Sequence, residues 1–228
     1  MKKDSPIEYE KGYTKFLNLK IDLRNRVFIP RIETGFWIKK TIKKIQKSKC
    51  KMQNHNLKFK ILDIFAGSGC IGIAILKNFK NSFLDFVDID NRAIEQIKIN
   101  FKLNKISKSR YKIYKSNLFE KLKGKKYDYI FANPPYVAIE RIREVQPSVL
   151  KYEPKKAILA GKRGLFYIRK FLKEAKDHLK EKGEIFMEFD PFQKSEIEKI
   201  LRKQGYKNFE FFKDQFKKWR FLKVEKND

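Results

Sequence analysis

The tetrapeptide Asn133-Pro134-Pro135-Tyr136 is the stretch of this sequence best suited to chemistry. Each proline fixes its own φ, removes a backbone donor and pushes the preceding residue towards extended geometry. The carbonyls of Asn133 and Pro134 are therefore held in place, and with the Asn133 side-chain oxygen they form a rigid set of acceptors. Tyr136 adds a flat aromatic face. Such a pocket suits a planar NH₂ group on an sp² carbon. In isolation, the motif is equally well explained as a turn that ends a strand.

A glycine-rich turn lies upstream. The run Phe59–Phe65 has the pattern of a buried strand and leads into Ala66-Gly67-Ser68-Gly69, after which a helix pattern continues through Phe79. Glycines let a backbone approach a ligand closely, and a helix N-terminus offers free N–H groups to an anion. A lone glycine turn is weak evidence, but the order strand, glycine turn, helix is the context that a phosphate- or carboxylate-binding loop needs.

An acidic residue, Asp88, ends the next predicted strand, which covers residues 82–88. An acid at that place in a nucleotide-binding fold can accept both hydroxyls of a ribose. The alternative is a helix N-cap for the helix predicted over 91–104, but Asp90 fills that role better. We therefore expect Asp88 to be available to a ligand.

The remaining elements alternate between strands and helices, as expected of a sheet with helices on both faces. The strand over 127–132 delivers Asn133 to its carboxyl end, where open α/β sheets bind ligands. The segment 137–163 has little periodicity and is predicted to wrap the mouth of the pocket. Further strands are predicted at 111–114, 184–189, 208–212 and 219–224, the last two as an antiparallel pair, and further helices at about 164–180 and 193–204.

The N-terminal part is predicted to be a lead-in of residues 1–32, followed by a catalytic domain of residues 33–228. Alternating apolar residues over 16–23, a turn at 24–26 and Val27-Phe28-Ile29 predict a small hairpin. A helix is predicted over 35–48 and a polar loop over 47–58.

The composition adds a net charge of +28, from 55 Lys and Arg against 27 Asp and Glu. This favours an anionic partner such as nucleic acid or the ribosome surface. Coding bias is the alternative that we weight more heavily, because Lys, Asn, Ile and Phe are abundant along the whole sequence. The two cysteines and two histidines have no metal-ligand spacing, so no metal is expected. No signal-peptide pattern or membrane-spanning run occurs, and we expect a cytoplasmic location without membrane contact.

Taken together, these stretches resemble a class I S-adenosylmethionine-dependent methyltransferase. Within that class they resemble the PrmC/HemK family, which methylates the side-chain amide of a glutamine in peptide-chain release factors. The similarity covers nearly the whole chain. Its most specific parts are Ile29-Pro30-Arg31 with Glu33-Thr34, and Gln146-Pro147 followed by Tyr152-Glu153-Pro154. Asn-Pro-Pro-Tyr alone is shared by many amino-methyltransferases of nucleic acids.

The resemblance implies a Rossmann-like α/β fold with a mostly parallel seven-stranded sheet, a C-terminal antiparallel hairpin and a small N-terminal β-hairpin. It implies S-adenosylmethionine as the cofactor, N5-methylation of the glutamine in a Gly-Gly-Gln motif, a class I release factor as substrate, and a monomer. The implied catalytic residues are Asn133, Pro134 and Tyr136. The implied cofactor-binding residues are Phe65, Ala66, Gly67, Ser68, Gly69, Asp88, Ile89, Asn117, Leu118 and Asn133. The implied substrate-binding residues are Arg31, Glu33, Thr34, Asn133, Pro134, Pro135 and Tyr136.

The sequence departs from the family pattern in three places. Phe65 stands where the cofactor loop of the family begins with a glycine. The resulting Phe-Ala-Gly-Ser-Gly loop is similar to loops in some RNA and DNA methyltransferases. Asn117 and Leu118 stand where the family often has Asp followed by an aromatic residue near the adenine. The family usually carries a helical N-terminal domain, and this chain is expected to start after it.

Two other functions remain open at this point. The first is methylation of an amino group in rRNA or DNA, at adenine N6 or guanine N2, which the charge of +28 and the Phe65 loop favour. The second is a non-catalytic RNA- or ribosome-binding module that keeps the methyltransferase fold. The intact Asn-Pro-Pro-Tyr motif and glycine loop argue against the second.

Overall fold

The computed structural model describes residues 5–50 and 58–226. Its strands are β1 (Tyr13–Phe16), β2 (Leu19–Asp22), β3 (Lys60–Ile64), β4 (Phe83–Asp88), β5 (Tyr111–Lys115), β6 (Tyr127–Ala132), β7 (Leu179–Glu188), β8 (Asn208–Lys213) and β9 (Trp219–Glu225). Its α-helices are α1 (Ile7–Lys11), α2 (Ile32–Cys50), α3 (Cys70–Asn78), α4 (Asn91–Leu103), α5 (Pro147–Tyr152), α6 (Phe166–Ala175) and α7 (Lys194–Lys203). Short 3-10 turns connect several of them.

The main sheet has seven strands in the order β5-β4-β3-β6-β7-β9-β8. Strands β3 to β7 run parallel, and β9 is antiparallel to both β7 and β8. The predicted mostly parallel sheet with a C-terminal antiparallel hairpin is therefore confirmed. Strand β3, which leads into the glycine loop, is an interior strand, and the middle position belongs to β6, the strand that ends at Asn133.

Helices cover both faces of this sheet because successive residues of each central strand face opposite sides. Phe131 of β6 and Phe186 of β7 pack in a cluster that includes α2, α3 and α4. Their neighbours Ile130 and Ile185 pack in a second cluster, which includes α6 and α7. The near-continuous apolar pattern of these strands thus reflects burial on two sides.

The predicted small N-terminal hairpin is confirmed, but its strands and turn lie earlier in the chain than predicted. β1 and β2 pair directly across Leu17 and Asn18, with Leu17 in the left-handed conformation (φ 54°) that a two-residue hairpin turn requires. The segment 27–29, predicted as the second strand, is not a strand. Side chains occupy its backbone groups: the Tyr9 hydroxyl donates to the Val27 carbonyl, and the Ile29 N–H donates to Glu153.

The lead-in packs on the rest of the chain. Ile21, Leu23 and Ile29 are buried in the cluster that contains α2, α3 and α4. The predicted domain boundary after residue 32 stays a prediction. Helix α2 begins at Ile32, three residues earlier than predicted. Residues 47–50 of the predicted loop belong to α2, and residues 51–57 lie outside the described part of the chain.

The strand predicted over 184–189 begins earlier, at Leu179, so helix α6 is shorter than predicted. Lys182 and Gly183, which lie between the predicted helix and the predicted strand, are part of β7 at an irregularity in its pairing with β6. Lys182 adopts a left-handed conformation (φ 57°) there, and a Cβ on Gly183 would lie 2.9 Å from the Lys180 carbonyl oxygen. The two residues therefore form part of a β-bulge.

Candidate active site

A cavity of about 600 Å³ opens at the carboxyl ends of the parallel strands. Ile64 ends β3, Asp88 ends β4, Ser116 follows β5 and Asn133 follows β6, and all four residues line this cavity. Its volume is in the range of pockets that enclose a small organic ligand. The glycine loop and the Asn-Pro-Pro-Tyr turn, far apart in sequence, therefore share one cavity.

Backbone hydrogen bonds, within the loop and to β4, shape the glycine loop. The Ala66 N–H donates to the Val87 carbonyl, 3.0 Å away, and the Gly69 N–H donates to the Ala66 carbonyl at 2.7 Å. Gly67 has φ +54°, and a Cβ at that position would have no atom within 4 Å, so the loop leaves open space at this point. Such space beside a helix N-terminus suits a ligand that approaches the backbone closely.

Phe65 takes the left-handed conformation (φ 61°) that a glycine adopts freely. For a residue with a side chain this conformation costs roughly 1–2 kcal/mol. Its ring lies edge-on to Tyr167 and Phe171 of α6, with centroids 6.2 and 6.1 Å away, and these contacts offset the strain. The loop geometry thus survives the replacement of the first glycine.

Asp88 already holds the loop through its carboxylate. Oδ2 accepts from the Gly67 N–H at 2.8 Å, and Oδ1 accepts from the Asp90 N–H at 2.9 Å. Burial raises the pKa of Asp88, although these backbone donors counteract the shift. Asp90 caps α4 by accepting from the Arg92 N–H, as predicted. Each Asp88 oxygen keeps a second acceptor site for a ligand hydroxyl.

Two of the three acceptors predicted in the Asn-Pro-Pro-Tyr turn are free of hydrogen-bonding contacts to the described part of the chain. Among the described residues, no hydrogen bond involves the Asn133 side chain or the Pro134 carbonyl. Both residues line the cavity, and the Asn133 side chain is half-buried. The turn therefore presents acceptors to whatever enters the cavity.

Two contacts fix the far side of the turn. The Gln193 side-chain amide donates to the Tyr136 carbonyl at 2.9 Å. Gly164 lies so close that a Cβ there would meet the same carbonyl oxygen at 2.0 Å. Further along, Val137 and the segment around Leu159 pair as a short parallel bridge. This fixes the aperiodic segment 137–163 to the turn, and several of its residues line the cavity, as expected.

A buried ion pair joins the two most specific sequence stretches. The Arg31 guanidinium lies 2.5 Å from Glu153 Oε1, and Glu153 also accepts from the Ile29 N–H at 3.2 Å. The Glu153 side chain is fully buried, and burial raises its pKa while Arg31 counteracts the shift. Arg31, which lines the cavity, is thus held by a residue 122 positions away in the chain.

Glu188, the last residue of β7, is a second buried carboxylate beside the cavity. Its Oε2 accepts from the Thr34 hydroxyl and from the Trp37 indole N–H, both at 2.7 Å, and its Oε1 accepts from the Tyr136 hydroxyl at 3.2 Å. Burial raises the pKa of Glu188. This carboxylate links the start of α2 to the Asn-Pro-Pro-Tyr turn.

Two further buried groups are close to the glycine loop. Asp63 accepts from the Gly72 N–H at 2.8 Å, its other oxygen has no partner, and burial raises its pKa well above the ordinary value. Burial also raises the pKa of the Cys70 thiol to about 12, which disfavours its thiolate form at neutral pH.

Comparisons with known proteins agree with this geometry. The family model described as "Methyltransferase small domain" matches residues 48–151. The release factor glutamine methyltransferase of Thermodesulfovibrio yellowstonii is 32% identical over 212 residues, which are 93% of this chain and 73% of that protein. The protein of the same name from Clostridium botulinum is 33% identical over 227 residues, 99% of this chain and 77% of that protein.

The chain belongs to the release factor glutamine methyltransferase family. The resemblance that the sequence motifs suggested is thereby confirmed.

Solved structures extend the similarity of the fold. The hMettl16 catalytic domain, solved in complex with a MAT2A 3′UTR hairpin, aligns with a TM-score of 0.67 at 18% identity, over 97% of this chain and 79% of that one. SMU.776, a methyltransferase solved in complex with SAH, aligns with a TM-score of 0.60 at 14% identity, over 93% of this chain and 55% of that one. At these identities the comparison concerns the fold alone.

For this member of the family, most of the predicted site residues meet in the one cavity. Of the predicted residues, Gly69 and Glu33 do not line it. Gly69 has φ +76° and is the N-cap residue of α3. A Cβ on Gly69 would lie 3.1 Å from Ile97, so this glycine packs closely against α4. Asn117 lines the cavity, but its side-chain amide donates to Glu120 at 2.6 Å. The predicted residues that line it are Arg31, Thr34, Phe65, Ala66, Gly67, Ser68, Asp88, Ile89, Asn117, Leu118, Asn133, Pro134, Pro135 and Tyr136.

Glu188, Gln193 and Tyr167 were not predicted as site residues from the sequence. Glu153 was identified as part of a family motif, without a predicted role. Each lies in or directly behind the cavity wall. A buried charge at the end of an otherwise apolar strand was the one available signal for Glu188. Gln193 and Tyr167 lie on ordinary helical patterns that carry no such signal.

The structure also bears on metal and membrane binding. No group of acidic, histidine or cysteine side chains in residues 5–50 and 58–226 is arranged to hold a metal ion. Across those same ranges, none of the helices is both long enough and apolar enough to span a bilayer.

Proposed function

We propose that this protein transfers a methyl group from S-adenosylmethionine to the side-chain amide nitrogen of the glutamine in the Gly-Gly-Gln motif of a peptide-chain release factor. The observation that carries the proposal is the shared cavity, in which unengaged acceptors of Asn133 and Pro134 lie beside the glycine loop. Membership of the release factor glutamine methyltransferase family supports the choice of substrate.

The residues of the cavity fit the cofactor. The open space at Gly67 admits a ligand against the backbone, and Asp88 offers carboxylate oxygens suited to ribose hydroxyls. Leu118 and Ile89 add apolar surface for an adenine ring. When bound, S-adenosylmethionine supplies an electrophilic methyl group on a positively charged sulfur.

Asn133 and Pro134 would act on the amide. An amide nitrogen is a poor nucleophile because its lone pair is delocalised into the carbonyl. Acceptors on both of its N–H bonds would orient the nitrogen, increase its electron density and stabilise the positive charge that develops there. Orientation alone can contribute up to ~7–11 kcal/mol when reacting atoms are held near contact distance. Tyr136 would cover one face of the planar amide.

Arg31 and Thr34 would shape the entrance for the polypeptide. Both line the cavity, and both are held by buried carboxylates, Glu153 and Glu188. Fixed side chains exclude alternative poses of the substrate more effectively than mobile ones. We propose that Arg31 and Thr34 position the substrate and take no part in the chemistry. We also propose that the protein is a monomer.

Transfer of a labelled methyl group to a purified release factor tests the proposal. We expect label in the wild-type release factor and none in a variant whose Gly-Gly-Gln glutamine is replaced by glutamate, which keeps the shape but lacks the amide nitrogen. Mass spectrometry should place the methyl group on that glutamine. Equal labelling of the glutamate variant would contradict the proposed substrate atom.

One observation favours a second candidate, methylation of an amino group in RNA: the net charge of +28. Total RNA in the same assay distinguishes the two. If the charge serves RNA or ribosome binding, affinity for RNA should fall linearly in log salt, with several phosphates neutralised. Methyl incorporation into rRNA with none into release factor would replace the first candidate by the second.

A further inference from the structure

Within residues 5–50 and 58–226, two buried carboxylates accept a tyrosine hydroxyl, and one of the two lies beside the cavity. Glu188 is 1% exposed and accepts from Tyr136 at 3.2 Å. Asp85 is 0% exposed and accepts from Tyr127 at 2.8 Å. Tyr136 lines the cavity, whereas Asp85 and Tyr127 do not. The second pair, whose carboxylate also binds Lys125, therefore serves as a control for effects on the fold alone.

The partners of Glu188 come from two distant elements. Thr34 and Trp37 belong to the first turns of α2, and Tyr136 ends the Asn-Pro-Pro-Tyr turn. Trp37 is itself fixed, because its ring stacks on Phe131 of β6 with centroids 6.3 Å apart. The carboxylate is thus anchored on one oxygen and holds the tyrosine with the other.

The Tyr136 hydroxyl has Glu188 as its partner among the described residues, and its backbone carbonyl is held separately by Gln193. A side chain fixed at its tip and at its backbone has little rotational freedom. The φ angles of Pro134 and Pro135 are fixed, so few free torsions separate Tyr136 from the acceptors of Asn133 and Pro134. A movement of Tyr136 would therefore displace these acceptors.

We propose that Glu188 is a positioning residue for methyl transfer, acting through Tyr136. By fixing the tyrosine hydroxyl it holds the Asn-Pro-Pro-Tyr turn where its acceptors meet the amide nitrogen. The inference rests on the proposed function, and it assigns a role to a residue that lies behind the cavity wall. A displacement of about 1 Å at a reacting group can reduce the rate by about 100-fold, so even partial release of Tyr136 should be measurable.

The test compares Glu188→Gln and Tyr136→Phe with Asp85→Asn and Tyr127→Phe. Glu188→Gln keeps the side-chain shape but cannot accept from all three donors. We expect it to lower kcat for release factor methylation about 10- to 30-fold, with KM for the release factor and Kd for the cofactor changed less than about threefold. Asp85→Asn and Tyr127→Phe should lower the melting temperature and leave kcat within about threefold of wild type.

A double variant separates positioning from general destabilisation. If Glu188 acts through Tyr136, Glu188→Gln combined with Tyr136→Phe should be no slower than the slower single variant, within about twofold. Multiplication of the two single effects would overturn the proposal, as would a folded Glu188→Gln protein with wild-type kcat. If Glu188→Gln does not fold, Tyr136→Phe removes the same contact and decides alone: a wild-type kcat overturns the proposal.

Hydrogen exchange provides a readout that does not depend on the substrate. Deuterium uptake of the peptide covering residues 133–140 should be faster in Glu188→Gln than in wild type and unchanged in Asp85→Asn. Unchanged uptake in Glu188→Gln would overturn the positioning role even if no release factor were methylated. An inactive wild-type protein would instead contradict the proposed function while the exchange result still decides the role of Glu188.

Discussion

The two halves of the cavity are built differently. In the cofactor half, contacts are local: Gly72 and Asp63 are nine positions apart, and Gly67 and Asp88 are 21 positions apart. In the amide half, contacts join distant stretches: Arg31 and Glu153 are 122 positions apart, and Thr34 and Glu188 are 154 positions apart. The amide half therefore depends on the whole fold, and its variants should affect turnover and stability more than cofactor binding.

The largest effect should come from the amide half. Asn133→Ala removes one preorganised hydrogen bond that strengthens in the transition state. Such a loss typically costs ~2.7–4 kcal/mol, so turnover should fall about 100- to 1000-fold. Single-turnover methylation measures it, and calorimetry should show a much smaller change in cofactor affinity. Asn133→Asp introduces a negative charge that attracts the positively charged sulfur of the cofactor. This variant should bind cofactor well yet transfer methyl poorly, because attraction in the ground state does not by itself raise the rate. Near wild-type turnover of a folded Asn133→Ala protein would remove the assignment.

Gly164→Ala should damage the same half from behind. The residue has φ +66°, and its new Cβ would meet the Tyr136 carbonyl oxygen at 2.0 Å. Left-handed strain and overpacking together should lower the free energy of unfolding by about 2–4 kcal/mol. Denaturant unfolding measures it, and turnover should fall with it.

Gly124→Ala is the matched control for that variant. Gly124 has φ +73°, but its Cβ would have no atom within 4 Å. Only the backbone strain remains, so the loss should be about 1 kcal/mol and turnover should be unchanged. Equal losses in the two variants would show that the contact with Tyr136 does not matter.

Asp88→Ala should break the cofactor half. Loss of a charged hydrogen-bonding partner costs ~1.5–3 kcal/mol, so the Kd for S-adenosylmethionine should rise at least about tenfold. Asp88→Asn, which keeps one acceptor oxygen for the ribose or for Gly67, should have an intermediate effect. Calorimetry on folded variants decides, and an unchanged affinity in Asp88→Ala would exclude the ribose role.

The smallest effect concerns pH, and it involves both halves. Burial raises the pKa of Asp63 behind the glycine loop and of Glu153 and Glu188 beside the turn. A carboxyl group whose pKa is higher in the folded protein stabilises the fold at low pH, and this contribution is lost as pH rises through the raised pKa. Asp63→Asn cannot titrate, so its melting temperature relative to wild type should increase over the pH range above the ordinary pKa of a carboxyl group. A constant difference across that range would contradict the raised pKa of Asp63.

The sequence predicted most of the cofactor half because the signals there are local. The strand that becomes β3, the glycine turn and the helix after it are contiguous, and Asp88 ends the next strand. The amide half was only partly predictable. Its acceptors Asn133 and Pro134 could be read from the prolines that follow them, but the residues that hold the turn could not.

Where sequence-based expectations were wrong, a tertiary contact had replaced a local one. Residues 27–29 have a strand pattern, yet the Ile29 N–H donates to Glu153, a residue 124 positions away in the chain. Lys182 and Gly183 were expected to connect a helix to a strand, yet they belong to β7 and form a bulge in its pairing with β6. Local propensity is a weak guide where distant groups compete for the same backbone donors.

By itself, the sequence determined the seven strands of the main sheet and the helices α3, α4, α6 and α7 between them. It also determined the glycine loop and the acceptors at the end of β6, since each of these features depends on residues close together in the chain. Only the tertiary structure decided that Glu153 holds Arg31, that Glu188 holds Thr34 and Tyr136, and that Gln193 holds the turn. The physical reason is burial. A buried polar group must find a partner, and which partner it finds depends on which distant elements the packed sheet and helices bring within about 3 Å of it.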